Sequence, residues 1–446
     1  MDAQAIRRDE SLTVRDVYRA WWPLAASWLL MGFELPAVSA FIARLADPEI
    51  HLAAYGGVVF PLALVIESPI IMLLAASTAL CRDQAAYQLV RRYAVLIAGA
   101  LTGLHVVVAF TPLFDPLVRG LLGAPEEIVE PARLGLMIMT PWTFSIAMRR
   151  FQQGVLIRFG HSREVGLGTA VRLATNLAVL VAGLAIGRLP GIAVGTTAVA
   201  LGVIAEALYI RWRTRPVLRD RMPAIDLSSP ALTEARFRTF YAPLSVTPLL
   251  LFLAMPLASA AMGRMPLVLA SLAAWPVVNG LIFTFRSVGF GLNEVVVAQL
   301  ERPNAVPALR RFTLWLSLGM TALILLVALT PLGEFWFRQV SALKPELADL
   351  AGIALLFAAA IPGMTALQSL YQGAVVHGHR TRAVTEAMGI YIGVILAVLA
   401  TGIAWQGQPG LYFAVGAMAL GNAAQLLWLR LRARPLLREL TANARL

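Results

Sequence analysis

Val65-Ile66-Glu67-Ser68-Pro69 puts a carboxylate in the middle of a long apolar run, His51 to Leu80. A bilayer crossing takes about 20 mostly apolar residues, so this run is long enough to span. A charged side chain near the bilayer centre costs roughly 2.5–3.5 kcal/mol on insertion scales, so it is expected to face protein or a watery cavity and to have a partner. Phe283-Thr284-Phe285-Arg286-Ser287 lies in the middle of another apolar run, offset by 286 − 67 = 219 residues.

That offset recurs. Thr111-Pro112-Leu113-Phe114-Asp115 with Arg119 matches Thr330-Pro331-Leu332-Gly333-Glu334 with Arg338. Arg91-Arg92 matches Arg310-Arg311, and Gln153-Gly154 with Ser162-Arg163 matches Gln372-Gly373 with Thr381-Arg382. Gly191, Ala200-Leu201-Gly202 and Arg211-Trp212-Arg213 match Gly410, Ala419-Leu420-Gly421 and Arg430-Leu431-Arg432. Self-similarity at one fixed period identifies an internal duplication. The spacing predicts twelve transmembrane segments at 20–45, 51–80, 92–113, 131–158, 163–187, 190–212, 238–262, 266–298, 309–331, 346–376, 382–404 and 408–431. Six segments per half, an even number, make a parallel repeat. The expected fold is therefore all-α and polytopic, with two six-helix lobes related by a pseudo-two-fold axis along the membrane normal. Residues 1–212 form the first lobe, 213–237 a basic cytoplasmic linker and 238–446 the second lobe.

Composition agrees. The 446 residues are 59% hydrophobic and 14% charged, with a mean hydropathy of +0.73, whereas soluble domains carry about 25% charged residues. The net charge of +12 sits in short loops between apolar runs, which is the positive-inside pattern and not a nucleic-acid patch. Nearly all the basic residues are arginine, with one lysine, Lys344. With both termini cytoplasmic, the inner loops receive Arg7, Arg8, Arg15 and Arg19, then Arg82, Arg91, Arg150, Arg158, the linker arginines, Arg302, Arg310, Arg311, Arg380 and Arg382. The outer loops receive acids such as Asp47, Glu49, Glu126, Glu127, Glu346 and Asp349. An Arg-, Ala-, Leu- and Gly-rich chain suggests a bacterium with a GC-rich genome, hence its inner membrane. The polar stretch Met1 to Arg19 lacks a signal peptide's apolar core. Cys81 is the single cysteine, which excludes an internal disulfide.

The intramembrane polar residues are the candidate sites. Glu67 and Arg286 are expected to form an inter-lobe gate that breaks when the lobes rock apart; a static pair is the plainer alternative. Glu34 stands two residues before Pro36, which frees a backbone carbonyl one turn upstream, so a proton or cation site is expected there. Glu206, whose repeat mate is Gln425, is a second coupling candidate, although Glu206 and Glu386 lie nearer the inner ends of their segments, which favours a structural role. Arg149, Arg150, Arg172, Asn176, Asn279, Gln368 and Gln372 are candidates for a substrate cleft, because guanidinium groups bind carboxylate and phosphate in bidentate fashion. His377-Gly378-His379 has no Cys, Asp or Glu nearby, so no metal is expected. No phosphate-binding Gly-rich loop occurs, and the five histidines form no motif. No cofactor is expected, and an enzyme is disfavoured.

The arrangement resembles the MOP superfamily, which includes multidrug and toxin extrusion (MATE) exporters and lipid-linked oligosaccharide flippases. The closest resemblance is to the progressive ankylosis protein family, through Glu34, Ala53-Ala54-Tyr55-Gly56, Arg82-Asp83, Pro243-Leu244 and Trp275-Pro276-Val277. That resemblance implies a secondary transporter exporting organic or phosphate-containing anions by alternating access. The alternatives are MATE-type proton- or sodium-coupled efflux of amphipathic cations and flipping of a lipid-linked substrate. The expected partners are a small, anionic molecule, a coupling ion and the lipid bilayer, with no nucleic acid.

Overall fold

The computed structural model describes residues 11–225, 231–378, 380 and 382–443. Among the described residues eleven helices are long and apolar enough to cross a membrane: Val14–Ile42, Pro48–Leu80, Gln84–Phe110, Ser162–Ile186, Gly191–Asp220, Glu234–Met262, Val268–Gln299, Ala305–Leu329, Pro345–His377, Arg382–Trp405 and Gly410–Thr441. They are the expected segments one to three and five to twelve. Segment four is the helix pair Glu126–Ile138 and Thr140–Arg158. It stands out less as an apolar run because it carries Arg149, Arg150, Gln152, Gln153 and Arg158. Its repeat mate in segment ten has Gln368, Ser369, Tyr371, Gln372 and His377 at those places.

The 219-residue offset holds in the backbone. The π-helical turn Pro116–Leu121 recurs as Phe335–Val340. Gly123 and Gly187 adopt left-handed φ of 64° and 66°, and their mates Ala342 and Gln406 keep that conformation, at 52° and 56°, without being glycine. Close helix approaches recur too. A methyl at Gly154 would overlap Leu74 O and Ser77; a methyl at its mate Gly373 would meet Asn293 O and Val296, the mates of Leu74 and Ser77.

Segment two is interrupted. A π-helical turn, Ala54–Val59, precedes the helix Phe60–Glu67, and a 3₁₀ turn, Ser68–Met72, follows it. Pro69 has no N–H to offer Val65 O; the Ser68 hydroxyl donates to that carbonyl at 2.7 Å instead. Glu67 thus stands at the helix break. Segment eight runs as one helix, Val268–Gln299, through Arg286.

The chain divides into two compact units, one of Met1–Ala37, Arg264–Leu267 and Ala274–Leu446, the other of Val38–Gly263 and Val268–Ala273. This differs from the division at 212 and 238 read from the repeat, because the units take most of segment one and all of segment seven from the opposite sequence half. Buried aromatic anchors explain it. In the first unit Trp21 Nε1 donates to Val288 O at 3.0 Å and its ring meets Phe312 edge-on at 5.2 Å. In the second, Phe237 stacks on Tyr93 at 4.6 Å and the Tyr241 hydroxyl donates to Pro69 O at 2.6 Å. The linker is also shorter than expected, since segment six continues to Asp220 and segment seven begins at Glu234.

Candidate functional site

Three helices of the second unit build a buried polar cluster. Arg149 and Gln153 lie one turn apart on segment four, and Arg172 and Asn176 lie one turn apart on segment five, so each pair shares a helix face. Segment six brings Glu206 to both. Arg149 Nη1 donates to Glu206 Oε2 at 2.7 Å, and Gln153 Nε2 donates to Oε1 at 3.0 Å. Arg172 Nε lies 3.7 Å from Oε2. The Glu206 side chain is 0% exposed, Arg149 5% and Arg172 10%. A carboxylate out of water needs such pairing, because an uncompensated buried charge costs several kcal/mol. Gly202, one turn before Glu206, makes room for the Asn176 amide, which a methyl there would overlap.

Arg150 and Glu67 extend the cluster. Both Arg149 and Arg150 lie in the electrostatic field of Glu67. Glu67 is 4% exposed. Arg150 Nε is buried without an acceptor among the described residues. The five charged groups are three guanidiniums (Arg149, Arg150, Arg172) and two carboxylates (Glu67, Glu206), so 3 − 2 leaves one positive charge in excess.

The first unit carries an uncharged version of the Arg149–Glu206 pairing. Gln368 and Gln425, the mates of Arg149 and Glu206, are 3.2 Å apart, Gln368 Nε2 to Gln425 Oε1. Gln368 Nε2 also donates to Asn422 O at 2.9 Å. Tyr391 stands in place of Arg172 and packs against Gly421, the mate of Gly202. Arg286 lies over the Phe290 ring at 5.4 Å, in the electrostatic field of Tyr391. Asn279 is half-buried on the same helix, and Gln372 is half-buried on segment ten. Arg286, Asn279, Gln368 and Gln372 therefore belong to one unit, and Glu67, Arg149, Arg150, Arg172, Asn176 and Glu206 to the other.

Segment one breaks at Phe33, between Val14–Gly32 and Glu34–Ile42. Glu34 is half-buried at that break. The carbonyl freed by Pro36 is not left for a cation. Thr284 Oγ1 lies 2.8 Å from Gly32 O and 2.9 Å from Gly280 O, so its proton serves that site. Gly280 lets the Pro36 ring approach; a methyl there would lie 3.2 Å from it.

The helix of Glu206 runs on to Asp220, and its side chain is fully enclosed among Arg149, Gln153 and Arg172, which agrees with a structural role. Arg149 is committed to Glu206, so it is not an idle anion ligand. Glu386 pairs with Arg432 at 3.1 Å and Arg382 at 3.3 Å. Sequence reasoning missed Gln153 and Asn422 as site residues; the four-residue step from Arg149 to Gln153 was the available signal. Among the described residues no group of three or more His, Cys, Asp and Glu is placed to hold a metal. Arg7, Arg8, His379, Thr381 and the linker's Pro230 lie outside the described residues.

No protein-family model matches the chain, and no curated protein matches it in sequence. Solved structures do match. An inward-facing multidrug resistance MATE family transporter of the MOP superfamily superposes with a TM-score of 0.74 at 15% identity, over 91% of this chain and 95% of that one. The lipid II flippase MurJ, in an inward closed conformation, gives 0.69 at 12% identity over 94% and 90%. A MOP superfamily transporter from Pyrococcus furiosus, described as having a binding pocket of reverse polarity, gives 0.62 at 18% identity over 94% and 96%. The chain therefore has the fold of the MATE and MurJ transporters of the MOP superfamily.

Proposed function

We propose that the protein is a secondary active transporter that exports a small organic or phosphate-containing anion by alternating access. The carrying observation is the excess guanidinium in the buried cluster: Arg149, Arg150 and Arg172 outnumber Glu67 and Glu206, and Arg150 Nε has no acceptor among the described residues. Guanidinium offers a planar fork of donors suited to carboxylate and phosphate. The Pyrococcus furiosus protein supports the reading by example, since its description reports a pocket of reverse polarity and a different function within the same fold. In this scheme Arg150, Arg172, Asn176, Asn279, Gln368 and Gln372 contact substrate. Arg149 is held by Glu206. Glu67 and Arg286 form a gate, and Glu34 and Glu206 couple to protons or sodium. Both termini face the cytoplasm of a bacterial inner membrane, as the arginine bias argues. Kinship with the progressive ankylosis family rests on the short motifs quoted above. The fold shared with MATE transporters favours a second reading, efflux of amphipathic cations.

The test is flux into and out of liposomes under an imposed pH or sodium gradient, comparing labelled citrate and a nucleotide with ethidium. Wild type is run beside Arg150→Gln and Glu67→Gln. Anion movement against its gradient, lost in Arg150→Gln, supports the anion reading. Movement of ethidium alone overturns it in favour of cation efflux. Downhill flux of anions with no response to either ion gradient overturns the coupled mechanism.

A further inference from the structure

A groove of about 700 Å³ opens on the first unit between segments nine, ten and twelve, far in sequence from the buried cluster. Leu314, Met364, Leu367, Leu370, Tyr371 and Leu427 line its apolar part. Its basic part is Arg310, Arg430, Arg434 and Arg438, and no acidic residue contributes to the lining. Arg430, Arg434 and Arg438 step by four along segment twelve, so they share one helix face. All four arginines are exposed, and among the described residues none makes an ion pair or hydrogen bond.

The internal repeat supplies a comparison. The mates of the four arginines are Arg91, Arg211, Arg215 and Arg219, so the basic pattern is common to both halves. The apolar part is shared only in part: Leu314, Leu367 and Leu427 have the apolar mates Val95, Met148 and Leu208, whereas Met364 and Tyr371 have Ser145 and Gln152. On the first-half side Phe151, the mate of Leu370, is covered by the Tyr87 ring at 5.2 Å, and Arg219 is neutralised by Asp220 at 2.7 Å. The second-half groove joins an apolar slot in the span to unpaired guanidiniums at its end, whereas the corresponding first-half positions include the polar Ser145 and Gln152.

We infer that this groove binds an anionic glycerophospholipid, with the acyl chains along Leu314, Met364, Leu367 and Leu427 and the phosphate on Arg310, Arg430, Arg434 and Arg438. Basic pockets between transmembrane helices at the cytoplasmic face suit anionic head groups. A soluble anion would leave the slot unfilled, and a zwitterionic lipid would leave the arginines uncompensated.

The test is native mass spectrometry of the full-length protein in detergent with added dioleoylphosphatidylglycerol or dioleoylphosphatidylcholine. Size-exclusion profiles report folding. Wild type should retain phosphatidylglycerol over phosphatidylcholine. The triple variant Arg430→Gln/Arg434→Gln/Arg438→Gln should weaken retention by roughly a hundredfold, from about fivefold for each arginine near a membrane surface. Leu367→Trp, which fills the slot and keeps every charge, should weaken it as well. Arg211→Gln/Arg215→Gln/Arg219→Gln, with the same loss of charge on the other half, should not. The inference is overturned if both triple variants lose lipid equally, or if Leu367→Trp binds as wild type. It is also overturned if glycerophosphoglycerol without acyl chains competes as well as the lipid, or if phosphatidylcholine is retained equally. A dimer that the second-half triple variant dissolves would identify a second copy as the occupant and overturn it too. Should that triple variant not fold, Leu367→Trp and the lipid competition decide the matter alone.

Discussion

Glu206→Gln is the perturbation with the largest expected effect. The carboxylate is fully enclosed, accepts from Arg149 at 2.7 Å and Gln153 at 3.0 Å, and has Arg172 at 3.7 Å. An amide there offers one acceptor to three donors and adds two N–H groups of its own. It also leaves two guanidiniums in a water-poor interior without their counter-charge. Removing one partner of a buried pair costs about 3–5 kcal/mol, and that is the predicted loss. The second half shows what relieves it. Arg149→Gln with Glu206→Gln recreates the pairing of Gln368 with Gln425, and adding Arg172→Tyr recreates Tyr391. The double variant should recover part of the loss, and the triple variant most of it, because replacing a whole buried ion pair is often close to neutral. Unfolding in mixed micelles as the fraction of dodecyl sulfate rises would measure the series. A Glu206→Gln protein as stable as wild type would refute the reasoning, as would strictly additive losses on going to the triple variant.

The close helix approaches and backbone conformations give further tests. Gly202→Ala should destabilise severely, since the new methyl overlaps the Asn176 amide, whereas Gly103→Ala, with open space around it, should be neutral or gain up to about 1 kcal/mol. Ala342→Gly should stabilise by about 1 kcal/mol by relieving a left-handed φ of 52°. Gln406→Gly should gain less or lose, because the Gln406 amide donates to Arg264 O at 2.8 Å; thermal midpoints of the two variants separate these outcomes. In the loop after segment three, the hydrogen bond from Arg133 holds the Asp115 carboxyl below its usual value of 3.8. A depressed carboxylate contributes stability above its unfolded pKa and loses it as pH falls through the folded one. The wild type should therefore lose stability on acidification below about pH 4 more than Asp115→Asn does, as read from unfolding midpoints across that range.

The duplication was legible because the matching motifs keep one offset without a gap, and the paired π-helical turns and left-handed positions keep it too, although segment two is broken where segment eight is not. Breaks in segments one and two were signalled by Pro36 and Pro69. Proline alone did not suffice: Pro243, Pro248 and Pro256 all lie inside the unbroken helix Glu234–Met262. Membership of the compact units could not be read, since hydropathy says that a segment is buried in lipid or protein but not which neighbours it chooses. That choice was made by Trp21, Phe237 and Tyr241, aromatic residues that look alike in any apolar run. The site was half legible. Arg149, Arg172 and Glu206 stood out as charges where charge is costly, while Gln153 and Asn422 did not, because an amide on a helix face carries no such signal.

The repeat also separates what the fold needs from what it carries. The first-half cluster and its second-half counterpart share their backbone setting: Gly154 and Gly373 admit the same neighbouring turn, and Gly202 and Gly421 admit the facing helix. In one copy that setting holds Arg149, Arg172 and Glu206. In the other it holds Gln368, Tyr391 and Gln425, which bury with far less desolvation. The helices therefore pack this way without charge. Packing does not require the charges of Arg149, Arg172 and Glu206, each of which raises the cost of inserting its helix. A charge that the architecture can do without, placed where it is costly, fits the proposed transport of an anion that arrives from outside the chain. If so, the triple variant built on the second-half residues should fold nearly as well as wild type and transport nothing.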